Sequence, residues 1–120
     1  MHIKNIILVA LGGMTGSVLR YLVGNWIRHE SFPYATLVVN IIGSFAIGAV
    51  MGIAAREEAF GNWRLFLATG ICGGFTTFSA FAWENLQMLN QQRYPAFFLY
   101  VGGTLVLGLF AVFLGYLLTK

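Results

Sequence analysis

Charged side chains are scarce in this 120-residue sequence, where they make up 9% of the residues against 58% that are hydrophobic. A soluble domain typically carries roughly 25% charged residues, so this chain lacks the side chains with which a globular surface faces water. It also lacks a basic run, which excludes a typical nucleic-acid-binding segment. The expected surroundings are the lipid bilayer, and the length allows a single domain.

Cysteine and histidine are nearly absent as well. The single cysteine, Cys72, excludes an internal disulfide and a cysteine-based metal cluster, and we expect it to be a small packing residue. His2 lies at the terminus and His29 in a predicted loop, so no catalytic or metal-ligating set of side chains forms a pattern. The glycine-rich stretch lacks the lysine of a phosphate-binding loop. We therefore predict no catalytic residues and no enzyme activity.

Three long stretches contain no charged residue, at 31–55, 65–83 and 94–119. Each is close to the ~20 residues that a helix needs to cross a ~30 Å hydrocarbon core. A fourth apolar run begins near Ile6 and contains Arg20. The sequence therefore predicts an all-α integral membrane fold, as one domain over residues 1–120. The four expected transmembrane helices are about 3–26, 34–54, 63–89 and 96–118.

The first of these segments has a second interpretation, as a signal peptide. Lys4 ahead of an apolar run is typical of one, but no convincing small-residue cleavage site follows. Arg20 also occupies the region where cleavage is expected. A retained helix is therefore favoured.

The basic residues are divided weakly between the two sides of the predicted membrane. One side carries Lys4, Arg56, Arg64 and Lys120, and the other carries Arg28 and Arg93, with Arg20 approaching it. The bias in lysine and arginine normally sets the orientation of a membrane protein. A weak bias permits insertion both ways up, as an antiparallel dimer requires, and one fixed orientation with a few idle charges is the alternative. Charge alone does not decide between them.

Glycines spaced four apart are typical of close helix contact in lipid. The pairs are Gly12 with Gly16, Gly48 with Gly52, and Gly70 with Gly74. Four short helices enclose too little volume to surround a solvated pathway, so we expect an oligomer.

The strongest local signal is the stretch from Gly70 to Phe81, which reads GICGGFTTFSAF. Glycines, threonines and a serine at membrane depth make a poor continuous helix, so we expect a break between Gly73 and Thr77. A broken backbone persists there only where it is buried in protein or lines a cavity, and its free carbonyls suit a hard cation such as sodium. The alternative is a glycine packing face in an unbroken helix.

Two phenylalanines in this stretch, Phe78 and Phe81, lie three residues apart and share a helix face. Because a phenyl ring has a positive edge, a small dehydrated anion can rest against such rings. Packing against lipid or protein is the alternative for the pair. Thr77 and Ser79 are their polar flanks, and Glu84 continues the face as a pathway-mouth residue or an interfacial carboxylate.

Other polar groups also lie within the predicted spans. Asn40 stands among aliphatic residues, where its amide either donates to a passing anion or joins two helices. Arg20 either reaches the interface, or caps carbonyls and draws anions toward a vestibule. Tyr100 and Thr104 are four apart and form a short hydroxyl track on one face of the last helix.

Three motifs resemble those of the Fluc (CrcB-type) fluoride channel family. Residues 12–21 resemble its first-helix pattern GGxxGxxxRY, and residues 36–45 resemble its second-helix pattern TLxVNxxGSF. Residues 70–81 are similar to its third-helix signature GxxGGxTTFSxF, and Glu84 also fits. Gly108 departs from the pattern, because a further hydroxyl is often found there.

The resemblance implies a dual-topology homodimer of antiparallel subunits with two pores, which exports fluoride passively across the bacterial inner membrane. Carried over by position, Phe78 and Phe81 are the pore phenylalanines and Asn40 is the pore amide. The carbonyls of Gly73 and Thr76 are expected to hold a structural sodium ion at the dimer centre. Tyr100 and Thr104 match the polar track of the fourth helix.

Two other functions are alternatives to a channel. A small multidrug-type proton-coupled antiporter is also a short four-helix dimer, but it needs an ionisable carboxylate deep in its first helix. No Asp or Glu occurs from Met1 to Arg28. A membrane scaffold is the third possibility, in which the buried polar residues serve only packing.

Overall fold

A computed structural model describes residues 2–27 and 31–120, and the predicted loop charges Arg28, His29 and Glu30 lie outside the described residues. The described chain is built from helices. They are α1 (Ile3–Trp26), α2 (Tyr34–Arg56), a 3-10 turn (Glu58–Phe60), α3 (Gly61–Arg64), a π-helix (Leu65–Cys72), α4 (Gly73–Phe75), α5 (Phe78–Asn90) and α6 (Tyr94–Thr119).

Four helical segments are long and apolar enough to cross a membrane, which confirms the predicted number. Besides α1, α2 and α6, the third is the composite segment Glu58–Asn90, which runs from the 3-10 turn to the end of α5. The molecule measures 50 × 29 × 26 Å, and its long axis exceeds the ~40–45 Å of a bilayer with its headgroups.

A proline lies at the N-terminal end of both α2 and α6. Pro33 directly precedes α2, whereas Pro95 lies inside the first turn of α6. The apolar pattern predicts that this last helix begins at about residue 96, after the proline. Proline is accepted in a first turn because its missing N–H has no partner there in any helix, so the helix begins at Tyr94.

Glycines allow two pairs of helices to approach closely within the chain. A Cβ built on Gly12 would lie 2.4 Å from the carbonyl oxygen of Phe66, and one on Gly16 would lie 2.1 Å from that of Ile71. Helix α1 therefore packs directly against the backbone of the third segment. In the same way, Gly48 of α2 faces the carbonyl oxygen of Val112 of α6, at 2.1 Å from a built Cβ.

The third segment is not one regular α-helix. Its first half is π-helical from Leu65 to Cys72. The π-helix is rare in proteins, and where it occurs it is frequently at a functional site. Regular helix ends at Phe75, the backbone is extended at Thr76 (ψ 156°) and Thr77 (ψ 116°), and α5 begins at Phe78.

This interruption is narrower than the range from Gly73 to Thr77 expected from the sequence, because Gly73 and Gly74 remain helical. The two threonines provide the physical reason. Their β-branched side chains favour extended backbone, and the Thr77 hydroxyl caps the next helix by accepting from the Ala80 amide at 3.2 Å.

Candidate functional site

Asn40 of α2 forms two hydrogen bonds with the interrupted backbone. Its Nδ2 donates to the Thr77 carbonyl at 3.1 Å, and its Oδ1 accepts from the Thr77 amide at 2.8 Å. Of the two roles considered for this amide, the structure has the interhelical one. Nδ2 carries a second hydrogen, so the group retains one donor beyond this contact.

Arg20 of α1 contacts the same region from the opposite helix. Its Nε donates to the Gly74 carbonyl oxygen at 3.1 Å, which is the carbonyl-capping role among those considered. The side chain also lines a cavity of about 250 Å³ together with Thr36 and Thr77. Since Thr77 lines the larger cavity described below as well, the interrupted backbone lies between the two.

The carbonyl oxygens of Gly73 and Thr76 are left open by this arrangement. In a continuous helix they would accept from the amides of Thr77 and Ala80, but Asn40 and the Thr77 hydroxyl take those amides instead. Among the described residues, no hydrogen bond reaches either oxygen. Oxygens of this kind are the ligands that a hard cation prefers.

A cavity of about 340 Å³ runs beside the interruption. It brings together seven of the predicted site residues: Asn40, Gly73, Thr76, Thr77, Phe78, Phe81 and Thr104. None of the described residues that line it is charged. An anion in this cavity therefore meets amide, hydroxyl and ring-edge groups rather than a fixed counter-charge.

The rings of Phe78 and Phe81 lie together at the cavity wall. Their centroids are 5.8 Å apart at an interplanar angle of 47°, and Phe81 also lies 4.9 Å from the ring of Tyr100. Phe78 is 78% exposed in the single subunit. Tilted rings at these distances present edges as well as faces to the space between them.

The hydroxyl of Thr104 is buried and has no hydrogen-bond partner among the described residues. A buried hydroxyl without a partner is costly in an apolar environment. Thr104 lines the larger cavity, so its hydroxyl proton lies near this cavity without an acceptor among the described residues. Ser79, in contrast, is exposed and lies 3.2 Å from the Thr77 hydroxyl, away from the cavity lining.

Glu84 is held by two hydroxyl groups. Thr36 donates to its Oε2 at 2.7 Å, and Tyr100 donates to its Oε1 at 2.8 Å. Tyr100 is 1% exposed and Thr36 is 6% exposed. These buried hydrogen bonds connect α2, α5 and α6 about one helical turn after Phe81. Glu84, Tyr100 and Arg20 do not line the larger cavity.

Two residues of this region, Thr36 and Asn85, are not among those predicted from the sequence. Thr36 is part of the second-helix motif, but no functional role was predicted for it. It lies 48 residues from Glu84 along the chain, so no local sequence pattern links the two residues. Asn85 is buried and donates from Nδ2 to the Phe81 carbonyl at 2.9 Å. An amide directly after Glu84 in an apolar helix was the signal that could have drawn attention to it.

The described residues include no group of three or more His, Cys, Asp or Glu side chains that could hold a metal ion. The open carbonyls of Gly73 and Thr76 are therefore the groups here whose chemistry suits a cation. They suit an alkali ion better than a transition metal, because they are neutral oxygen donors.

Comparison with known proteins gives a consistent result over almost the whole chain. A family model described as CrcB-like protein, Camphor Resistance (CrcB), matches residues 7–116. A protein of Phocaeicola vulgatus named Fluoride-specific ion channel FluC is 46% identical over 115 residues, covering 93% of this chain and 95% of the relative.

Two further relatives show similar coverage. One from Flavobacterium psychrophilum, with the same name, is 45% identical over 121 residues and covers 98% of both chains. One from Bacillus cereus, named Fluoride-specific ion channel FluC 2, is 39% identical over 112 residues, which is 91% of this chain and 92% of the relative. Together with the four apolar helices, these matches make the chain a multi-pass membrane protein of the CrcB-like family.

Proposed function

We propose that this protein is a fluoride-specific ion channel that lets fluoride leave the bacterial cytoplasm passively across the inner membrane. The observation that carries the proposal is the identity of 39–46% with relatives of that name over nearly the whole chain. Selectivity for fluoride rests on those relatives, and the physical route rests on the cavity beside the interrupted helix.

The chemistry of the cavity suits a small, strongly hydrated anion. Such an ion gives up water only where donors and positive ring edges replace it. The second hydrogen of Asn40 Nδ2, the Thr104 hydroxyl and the rings of Phe78 and Phe81 are these groups. Without a cationic side chain among the described lining residues, the ion is stabilised but not trapped.

An antiparallel homodimer is the proposed assembly. Asn40, Thr77 and the residues of the open carbonyls line a cavity whose wall residue Phe78 is 78% exposed in the single subunit. Polar backbone at membrane depth is not left facing lipid. A Cβ built on Gly73 meets only the Ala68 carbonyl oxygen, at 3.8 Å, so this face has room for another chain. A second copy that covers it satisfies both conditions.

A structural sodium ion at the dimer centre is the further part of this proposal. The residues fit the ion, because the carbonyl oxygens of Gly73 and Thr76 are without a donor among the described residues. With two such oxygens from each antiparallel subunit, four oxygens would hold the ion, which would supply positive charge between the two interruptions. The interrupted third segment thus serves the dimer as well as the pore.

Passive export follows from the acid–base chemistry of fluoride. Hydrogen fluoride crosses bilayers uncharged and releases fluoride in a neutral cytoplasm, so the anion accumulates inside. A channel then lets it leave down its electrochemical gradient without an energy source. The antiporter alternative is not favoured, since α1 contains no carboxylate and the relatives are named channels.

The direct test is fluoride efflux from liposomes that contain the purified protein. A potassium ionophore balances the charge, so that efflux reports electrogenic movement of the anion. We expect rapid loss of the fluoride gradient and retention of a chloride gradient. Efflux no faster than from protein-free vesicles would refute the proposal, and efflux that requires a proton gradient would favour the antiporter.

A further inference from the structure

Four backbone carbonyls lose their helical donors where the third segment is interrupted. They belong to Gly73, Gly74, Phe75 and Thr76, and in an uninterrupted helix each would accept from the amide four residues later. The side chains of two other helices reach this region.

One of the four carbonyls, that of Gly74, is occupied from another helix, and Asn40 binds the backbone of Thr77 next to them. Arg20 Nε donates to Gly74 at 3.1 Å, and Asn40 Nδ2 donates to Thr77 at 3.1 Å. Asn40 Oδ1 also takes the Thr77 amide at 2.8 Å, and that amide is the one which would otherwise return to Gly73. Asn40 therefore keeps the Gly73 carbonyl open, whereas the Thr76 carbonyl is open because the Thr77 hydroxyl takes the Ala80 amide.

We propose that Arg20 and Asn40 are positioning residues of the cation site, because Asn40 keeps the Thr77 amide away from the Gly73 oxygen and Arg20 holds the Gly74 carbonyl where the helix would otherwise close. The inference rests on the sodium site of the proposed function. It assigns to Arg20 a role as a hydrogen-bond donor at a fixed place, rather than as a charge that attracts anions. It also assigns to Asn40 a role beyond contact with fluoride.

Removing either side chain lets the helix close. Without Arg20, the Gly74 carbonyl is a buried acceptor with no donor, which favours recovery of the Phe78 amide. Without Asn40, the Thr77 amide is free to return to the Gly73 carbonyl. Both changes take an oxygen ligand from the cation or misplace it, while the glycine contacts between α1 and the third segment stay in place.

The experiment compares Arg20→Met, Arg20→Gln and Asn40→Leu with the unaltered dimer in detergent. Glutamine places its amide nitrogen the same number of bonds from Cα as arginine Nε, so Arg20→Gln keeps the donor and removes the charge. Thr15→Val is the matched control on α1, since it removes a hydroxyl bonded only to the Leu11 carbonyl of its own helix. The readout is the sodium concentration at which the melting temperature begins to rise, at constant ionic strength. Because the stabilisation grows as RT ln(1 + c/Kd), where c is the sodium concentration, this concentration lies near the dissociation constant.

We expect Arg20→Met and Asn40→Leu to raise this sodium concentration by about 10–100-fold, as loss of groups that orient metal ligands typically does. Arg20→Gln and Thr15→Val are expected to stay close to the unaltered protein. The inference is overturned if Arg20→Met and Asn40→Leu bind sodium as the unaltered protein does, or if Arg20→Gln loses as much as Arg20→Met. If Arg20→Met does not fold, Asn40→Leu decides by the same criterion.

Fluoride efflux at saturating sodium separates this inference from the proposed function. Sodium-dependent melting in a protein without fluoride efflux contradicts the channel, and the shifts among the variants still decide the positioning roles. Melting that does not respond to sodium in the unaltered protein removes the sodium site and this inference together, whether or not fluoride flows.

Discussion

Gly16 provides the sharpest test of how the interrupted segment is held in place. A Cβ at this position would lie 2.1 Å from the Ile71 carbonyl oxygen and 2.7 Å from the Phe75 amide nitrogen. Both atoms belong to backbone, so neither can move aside by a rotamer change. Gly16→Ala therefore has to push α1 away from the third segment by about 1 Å to restore ordinary contact.

The expected cost follows from overpacking at a close interface. Forcing extra methyl groups into packed regions typically costs about 1–3 kcal/mol, and the rigid backbone neighbours favour the upper part of that range. Gly24→Ala is the matched control, because a Cβ there meets no atom within 4 Å. In that variant we expect no loss, and a gain of up to about 1 kcal/mol from helix propensity.

The assay is equilibrium unfolding in mixed micelles, followed by circular dichroism as dodecyl sulfate is increased. Arg20 follows Gly16 by one helical turn, so the displaced α1 also draws its Nε from the Gly74 carbonyl. We therefore expect Gly16→Ala to reduce fluoride efflux as well as stability. Equal free energies of unfolding for Gly16→Ala and Gly24→Ala would refute the packing argument.

Three further predictions concern the cavity and its surroundings. Phe78→Ile and Phe81→Ile remove the ring edges and should each lower fluoride efflux by about tenfold, the equivalent of one aromatic contact, while size-exclusion chromatography still finds the dimer. Gly73→Ala is tolerated within the subunit, where its Cβ is 3.8 Å from the nearest atom, but it should weaken the dimer in cross-linking experiments. Tyr100→Phe keeps the ring contacts and loses the hydroxyl bond to Glu84, so it should cost about 0.6–1.7 kcal/mol of unfolding free energy.

Each of these predictions has an outcome that contradicts it. Undiminished efflux in both phenylalanine variants removes the rings from the pathway. An unaffected dimer in Gly73→Ala places the subunit contact elsewhere. For Tyr100→Phe the comparison is Tyr116→Phe, at an exposed position of the same helix, and equal stability of the two variants argues against a contribution from the buried hydroxyl bond.

The four helices could be predicted from the sequence because span length depends only on uninterrupted apolar stretches. The proximity of Phe78 and Phe81 could also be predicted from the sequence, since residues three apart share a helix face. The predicted start of α6, at about residue 96, is two residues after the observed start at Tyr94. Pro95 was treated as the end of a loop, although a first helical turn accepts proline.

The contacts around the interruption could not be predicted in the same way. Arg20 and Gly74 are 54 residues apart, and Asn40 and Thr77 are 37 residues apart. Periodicity does not relate positions on different helices, so for both polar side chains the sequence left two roles open. Tertiary packing decides between them, because the glycines of α1 bring Arg20 within reach of the third segment.

The central claim, a passive route for fluoride through this protein, is tested most directly by electrical recording in a planar bilayer. With a fluoride gradient across the membrane and no other permeant ion gradient, the account predicts a current whose reversal potential follows the fluoride equilibrium potential. Replacing fluoride by chloride should abolish that current. A bilayer that stays silent after fusion of dimer-containing vesicles, or a current that reverses at the proton or chloride potential, would contradict the account.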